Sequence, residues 1–242
     1  MVERDGQVCG MKLQTKQTGL TGNQLKIIAI ISMLLDHIGV DLLPQYPVLR
    51  VLGRFALPIF AFMVAEGCRY TRSRKDYLLK IAGLGLACQL VFYLATGDTY
   101  QGILITFSLS IASIYGVDLF LQKRDGKCCV VMVLILLAVL FLTVAFPICL
   151  RGSGFEIDYG LPGVLLPVAI YYGRNQREKL LLAAVMLGWM GLVKGGIFWF
   201  SLLALPLLAL YNGTRGKARI KYLFYVFYPS HLAAIYAIGM LL

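Results

Sequence analysis

The sequence predicts an all-α protein, a polytopic bundle of transmembrane helices with about nine spans and a cytoplasmic N-terminus. Of its 242 residues, 59% are hydrophobic and only 14% are charged, whereas a soluble domain averages about 25% charged residues. The mean hydropathy is +0.77, and long apolar runs alternate with short basic connectors. We expect two parts, a polar cytoplasmic tail over 1–22 and a single helical domain over 23–242, because no soluble-looking block is long enough for a second domain.

The first half of the chain contains four apolar runs that predict spans at about 25–43, 49–69, 77–95 and 102–121. Thr21 is a plausible cap for the first of them. Pro58 predicts a kink in the second. The fourth span carries a series of polar side chains, namely Thr106, Ser108, Ser110, Ser113 and Asp118.

The second half predicts five further spans, at about 128–150, 160–173, 180–193, 196–211 and 222–241. The run at 128–150 is almost free of polar residues and is typical of a lipid-facing wall. The run at 160–173 is short and contains Pro162 and Pro167, which favours a half-helix or a tilted piece beside a cavity. If 160–173 and 180–193 both fail to span, seven spans remain with the same two ends.

The charges of the connectors support this topology. The connectors 70–76, 122–127, 174–179 and 212–221 are rich in Lys and Arg, and the intervening connectors 44–48, 96–101, 151–159 and 194–195 hold few cations. Cytoplasmic loops of membrane proteins carry the excess of Lys and Arg, so the N-terminus is predicted inside and the C-terminus outside. The net charge of +11 then indicates cytoplasmic loops and anionic lipid rather than nucleic acid.

The candidate chemistry centres on the first predicted span. The chain has two histidines, His37 and His231, and His37 follows Asp36 inside the run 25–43. Ionisable groups within a membrane normally face a protein interior or a wet cavity and function there. Lys26 lies eleven residues before His37, which is about three helical turns and about 16 Å along one face. Neighbouring helical residues point about 100° apart, so Arg54 of the second span is an alternative partner for Asp36.

Structural interpretations stay open for several of these polar residues. Either histidine can be a packed group hydrogen-bonded across helices. Glu66 and Asp118, near the inner ends of their spans, can form interfacial ion pairs with the basic connectors. The basic connectors are either ordinary topology determinants or a docking surface for an anionic cofactor, formed by Arg69, Arg72, Arg74, Lys75, Arg215, Lys217 and Arg219. The six cysteines lack zinc-site spacing, and we expect no bound metal.

Four segments carry a family resemblance. The stretches LKIIAIISMLLDHIG, GRFALPIFAFMVAEGCRYTRSRKDYL, DYGLPGVLLPVAIYY and YPSHL, in this order, resemble the TraX family, which is linked to N-terminal acetylation of conjugative pilin. They are also distantly similar to membrane acyltransferases of the acyltransferase-3 type, in which ten residues separate a basic residue from a His in the first helix. Lys26 and His37 have this spacing.

The resemblance implies a multi-pass acetyltransferase of the bacterial inner or cytoplasmic membrane, with acetyl-CoA as the acyl donor. Its acceptor would be an amine or hydroxyl of a peptide N-terminus or a glycan. His37 would be the general base, with Asp36 and Arg54 as catalytic partners. The coenzyme phosphates would be held by Lys26, Arg69, Arg72, Arg74 and Arg215, and the acceptor by Glu66, Asp158, Tyr159 and His231. The family pattern has an acidic residue, often Ser-Glu, in the third helix, where this chain has Cys88-Gln89; this departure bears on the acceptor.

Two other functions fit the residues. One is a proton-coupled transporter in which Asp36, His37, Arg54 and Glu66 form a relay. Transporters often show internal repeats, and this sequence has none that we detect. The other is a structural or assembly protein of the membrane, in which the buried polar groups only join helices. Tolerance of changes at Asp36 and His37 would favour that second alternative.

Overall fold

The computed structural model describes residues 18–150, 152–217 and 223–241, which are mostly helical. Most of the predicted tail and part of the last basic connector, including Arg219, lie outside these residues. The α-helices are α1 Gly22–His37, α2 Pro47–Gly53, α3 Ala56–Tyr70, α4 Arg74–Thr96, α5 Ile103–Lys123, α6 Gly126–Leu140, α7 Phe146–Cys149, α8 Gly160–Tyr172, α9 Gln176–Lys194, α10 Leu205–Ala209 and α11 Leu223–Gly239.

Three stretches extend or interrupt the predicted helices. The first predicted span continues beyond α1 as a π-helical turn, Ile38–Leu42, and a second π-helical turn, Phe141–Ala145, joins α6 to α7. The stretch Gly196–Ala204 is a 3₁₀-helix that leads into α10. The predicted helix 49–69 is divided at Arg54, one turn before Pro58. This position follows from the proline, whose ring displaces the carbonyl group four residues earlier.

The start of α1 is tied to the connector that precedes α11. Thr21 and Gln24 form a reciprocal capping box, which satisfies two of the free N–H groups at a helix start. The backbone N–H groups of Gly22 and Asn23 donate to the carbonyl oxygens of Thr214 and Arg215, at 2.8 and 3.0 Å. The basic connector therefore closes over the N-terminus of the first helix.

The connectors meet in two groups, one at each end of the bundle. At one end, the backbone of Gln101 exchanges hydrogen bonds with Glu156 and Asp158, at 2.8 and 2.9 Å, and Lys194 donates to Glu156. At the other end, Arg69 donates to the carbonyl of Tyr171. Successive predicted spans thus run in opposite directions, and the basic connectors gather at the end where α1 begins. We call this the basic end, and the opposite end the cavity end.

Four helical segments of the described chain are long and apolar enough to cross a membrane: Pro47–Tyr70, Arg74–Thr96, Ile103–Lys123 and Gly126–Cys149. The shorter segments Gly160–Tyr172, Gly196–Ala209 and Leu223–Gly239 are also apolar. In the first and third long segments 67% and 56% of the most apolar window is buried, against 11% and 6% in the second and fourth. The interior is therefore built on α3 and α5, and the outward-facing apolar surface of Gly126–Cys149 agrees with the predicted lipid-facing wall.

Candidate active site

A cavity of about 230 Å³ lies at the cavity end of α1. Its wall is formed by the end of α1, the break between α2 and α3, the connectors before α5 and α8, and the 3₁₀-helix. Five of the residues that we singled out in the sequence line it, from positions more than one hundred residues apart: Asp36, His37, Arg54, Asp158 and Tyr159. The fold therefore gathers the predicted catalytic residues and two of the predicted acceptor residues around one space.

Asp36 is paired with Arg54, the alternative partner that the sequence offered. The Arg54 guanidinium is buried and donates through Nη2 to Asp36 Oδ2. Arg50 Nε lies 4.0 Å from Asp36 Oδ1, too far for a hydrogen bond. The close approach of α2 to α1 depends on Gly53, because a Cβ atom there would lie 2.6 Å from Asp36 Oδ1. Asp36 thus holds Arg54 in place at the cavity wall.

His37 has a carboxylate neighbour that the sequence analysis missed. Its Nδ1 lies 3.8 Å from Asp41 Oδ2, so Asp41 and not Asp36 is next to the imidazole. Asp41 is four residues after His37, a spacing at which helical side chains meet, and this spacing was the available signal. The pair lies at the junction of α1 with its π-helical turn, and π-helical turns are frequent at functional sites.

Asp158 supplies a second carboxyl group to the cavity. The Tyr100 hydroxyl donates to Asp158 Oδ1 at 2.5 Å, and the Thr106 hydroxyl donates to the Asp158 backbone carbonyl at 2.8 Å. Burial raises the pKa of Asp158 to about 6, although the Tyr100 hydrogen bond and the positive charge of Arg54 oppose the rise. This carboxyl group therefore titrates just below neutral pH.

Aromatic rings cover the positive charge of Arg54. Its guanidinium carbon lies 5.2 Å from the ring centroid of Phe198 and 5.9 Å from that of Tyr159, within the range of cation–π attraction. Gln89, at the position where the family pattern has an acid, donates to the Tyr100 carbonyl at 2.6 Å. It also accepts from the backbone N–H of Gly102 at 3.2 Å. Gln89 thus fastens the connector that carries Tyr100.

His231 lies next to His37 but on another helix. The ring centroids of the two residues are 5.2 Å apart. His231 belongs to α11 and is buried, and its Nδ1 lies 2.8 Å from the carbonyl oxygen of Phe227. Both histidines of the chain therefore meet at this site, although His231 is not among the residues that line the cavity.

Glu66 lies away from the cavity, at the basic end of the bundle. It accepts from Lys179 Nζ at 2.6 Å, and both side chains are about nine-tenths buried. Asp118 accepts from Arg74 at 2.8 Å and from two tyrosine hydroxyls, those of Tyr171 and Tyr172, at 2.7 and 3.0 Å. The interpretation of Glu66 and Asp118 as ion-pair partners of the basic connectors is confirmed.

The five predicted coenzyme-binding cations all lie at the basic end, in different settings. Arg69 donates to backbone carbonyls of the α8 end, and Arg74 is held by Asp118. Arg72 and Arg215 are exposed, and Lys26 is half-buried and close enough to Arg215 for the two cations to repel. Lys26 and His37 are therefore at opposite ends of one continuous helix, with Arg72 and Arg215 exposed at the Lys26 end.

Comparison with known proteins gives the family. The profile of the family described as TraX protein matches residues 21–239. The chain is 28% identical to the "Probable fimbrial assembly protein FimC, serogroup H1" of Dichelobacter nodosus, over 90% of this chain and 96% of that protein. It is 25% identical to the "Protein TraX" of Escherichia coli, over 67% of this chain and 61% of that protein. No solved structure matches. Since the profile covers nearly the whole described bundle, the chain belongs to the TraX family.

Proposed function

We propose that this protein is a multi-pass acetyltransferase of the bacterial inner or cytoplasmic membrane. It moves an acetyl group from cytoplasmic acetyl-CoA to an amine or hydroxyl of a peptide or glycan acceptor. The observation that carries the proposal is the cavity in which His37, with Asp41 beside it, shares a wall with the buried Arg54. The link of the TraX family to pilin acetylation supports the same activity. The bundle crosses the membrane about nine times, with the N-terminus in the cytoplasm.

His37 acts as the general base. Its neutral imidazole takes a proton from the acceptor as the acceptor nitrogen or oxygen attacks the thioester carbonyl. The proton then passes to the departing thiolate of coenzyme A, so the base is regenerated. Asp41, 3.8 Å from Nδ1, stabilises the imidazolium that forms between the two steps. A positioned base of this kind contributes about 10²–10⁴-fold to a rate.

Arg54 stabilises the negative oxygen of the tetrahedral intermediate. The guanidinium is held by Asp36 through Nη2, and its Nε is buried without a hydrogen-bond partner in the described chain. Preorganised donors in a site that excludes water are among the strongest contributors to acyl transfer. The aromatic rings of Tyr159 and Phe198 keep this charge out of contact with bulk solvent.

The donor approaches from the basic end. Arg69 and Arg74 are engaged by α8 carbonyls and by Asp118, so we assign the coenzyme phosphates to Lys26, Arg72 and Arg215, which are exposed or half-buried there. Arg69 and Arg74 support this surface through their contacts with α8 and Asp118. The extended pantetheine arm then spans the distance of about 16 Å along α1.

A second candidate function is assembly of a pilus without catalysis. The name of the D. nodosus relative, a probable fimbrial assembly protein, favours it. The transporter alternative has no specific support, since Glu66, a member of the supposed relay, is buried with Lys179 at the opposite end of the bundle.

The first experiment measures acetyl-CoA binding and thioester turnover by purified protein in detergent. Substitution His37→Ala is expected to lower turnover by about 10²–10⁴-fold and to leave donor binding unchanged. Substitution Lys26→Ala is expected to weaken donor binding about tenfold, since it removes one charge-assisted hydrogen bond. Lys123→Ala, an exposed cation at the same end, is the matched control and should bind the donor normally.

Two results would overturn the proposal. Wild-type protein that is folded but binds no acetyl-CoA would favour a role in assembly or transport instead. Full turnover by the His37→Ala variant would remove the base from the mechanism. Melting curves of all variants establish that each is folded before its activity is compared.

A further inference from the structure

His231 has a feature that the mechanism above leaves unused. Its Nε2 atom is buried and has no hydrogen-bond partner within the described chain. The other ring nitrogen, Nδ1, lies 2.8 Å from the carbonyl oxygen of Phe227. Leaving a buried polar atom unpaired is costly, and such atoms are rare enough in folded proteins to require an explanation.

The contact with Phe227 fixes the tautomer of the neutral ring. A backbone carbonyl only accepts hydrogen bonds, so Nδ1 carries the hydrogen. In a neutral imidazole the other nitrogen is then an acceptor with a free lone pair. The ring is also stacked on the Phe227 ring, with 4.6 Å between centroids and an interplanar angle of 3°. His231 is therefore a fixed hydrogen-bond acceptor.

The neighbour available to this acceptor is His37. The two imidazoles meet edge to face, with 5.2 Å between their centroids and 62° between their planes. The His37 side chain is one-third exposed, whereas His231 is packed against Phe227 and the Tyr228 ring, 5.8 Å away. Of the rings of Phe227, Tyr228 and His37 around His231, that of His37 carries N–H groups.

We propose that His231 is a positioning residue for the general base and accepts a hydrogen bond from protonated His37. The hydrogen bond to His231 uses one nitrogen of His37, and the other nitrogen takes the acceptor proton and later gives it to the thiolate. The N–H group held by His231 is therefore not the one that is transferred. In the imidazolium, this hydrogen bond and the Asp41 carboxylate, 3.8 Å from Nδ1, both favour the charged form of the ring.

The surroundings of His37 contain other charges that act on the same titration. They are Asp41 on the π-helical turn, Asp36 on α1, Arg50 and Arg54 at the break between α2 and α3, and Asp158 on the connector before α8. These groups stay in place when His231 is changed. A comparison of variants at position 231 therefore isolates the effect of the second imidazole.

The first test does not depend on the proposed acetyltransferase activity. Because the chain has two histidines, protein labelled with ¹⁵N in histidine gives NMR signals from two rings, which single variants assign. We expect the His231 ring to carry its hydrogen on Nδ1. The midpoint of the His37 titration should fall by about one pH unit in His231→Phe, the loss of roughly one hydrogen bond to the charged form. It should stay near the wild-type value in His231→Gln, whose amide oxygen also accepts.

The second test uses activity and rests on the proposed function. His231→Phe should lower kcat about tenfold with unchanged KM for acetyl-CoA, and the acid limb of the pH–rate profile should move to lower pH. His231→Gln should restore most of kcat and the position of that limb. A His37 titration that is the same in wild type and His231→Phe would overturn the inference. So would a kcat loss that His231→Gln fails to restore. Absence of turnover in the wild type overturns the proposed function alone, because the titration still reports on the pair.

Discussion

Two polar regions at opposite ends of the bundle hold their buried charges differently. At the basic end, Glu66 is paired with Lys179 at 2.6 Å, and Asp118 receives hydrogen bonds from Arg74 and two tyrosines. At the cavity end, Asp36 and Arg54 are paired, yet Asp36 Oδ1 and Arg54 Nε have no hydrogen-bond partner in the described part of the chain. One region pairs its buried charges with each other, and the other, whose Asp36 and Arg54 line the cavity, leaves two buried polar atoms unpaired.

This difference separates a structural role from a chemical one. Removing one partner of a fully paired buried ion pair leaves the other charge buried and uncompensated, so such pairs hold helices together once formed. Unpaired polar atoms around a space have their hydrogen-bonding capacity available to a ligand. We therefore assign stability to the basic-end pairs and place the proposed chemistry at the cavity end.

The largest effect is expected at Glu66. Substitution Glu66→Ala leaves Lys179 buried without its carboxylate and should lower the free energy of unfolding by about 3–5 kcal/mol. Thermal unfolding in detergent measures this loss, and kcat per folded molecule should stay near wild type because Glu66 is outside the cavity. The double variant Glu66→Leu with Lys179→Met is the matched control and should recover much of the stability. A variant with normal stability but lost turnover would place Glu66 in the reaction path instead.

The sequence predicted the positions of the nine helical segments in the described part of the chain, since apolar runs and basic connectors are strong local signals. It also offered the pairing of Asp36 with Arg54, because neighbouring helical residues diverge. The two π-helical turns and the 3₁₀-helix were missed, since they depend on packing that no local pattern records. The number of spans stays a prediction, because four of the segments have full membrane length.

Part of the candidate site could also be predicted from local signals in the sequence. His37, Arg54 and Asp158 stand out as ionisable residues in or beside apolar runs. Asp41 was overlooked because it lies near the outer end of its run, where a charge needs no explanation. The meeting of His231 with His37 depends on how α11 packs against α1, and contacts between residues so distant in the chain cannot be read from spacing.

The next largest effect concerns the pH dependence of stability through Asp158. Burial raises its pKa from the ordinary 3.8 to about 6. Between pH 4 and 6 the native protein then binds more protons than the unfolded chain, so the free energy of unfolding falls as the pH rises through this interval. Above pH 6 the loss is complete, and its size is at most on the order of 3 kcal/mol.

Substitution Asp158→Asn removes this titration and keeps the amide oxygen as an acceptor for Tyr100. The stability of the variant relative to wild type should therefore increase from pH 4 to 6 and then level off. Melting temperatures in detergent at intervals from pH 4 to 8 measure the difference. Asp98→Asn, an exposed carboxyl group on the connector before α5, is the control. Parallel curves for wild type and Asp158→Asn would show that Asp158 is not a buried acid.

The smallest effect on stability is expected at Gly53, where a substitution should also lower activity. A methyl group there would lie 2.6 Å from Asp36 Oδ1, so Gly53→Ala must push α2 away from α1. Overpacking of this kind costs about 1–3 kcal/mol. Because the displaced residue is Asp36, Arg54 loses its support, and kcat should fall more than the stability loss accounts for.

Gly188→Ala on α9 is the control that separates the effect at the site from the general effect of adding a methyl group to a helix. No heavy atom beyond its own helix lies within 4 Å of a Cβ atom built there, so the added methyl group meets open space and should leave kcat unchanged.

Adding Asp36→Asn to Gly53→Ala should cost less activity than Asp36→Asn alone, since both changes remove the same support from Arg54. Additive losses would mean that Gly53 serves only the packing of α2 against α1.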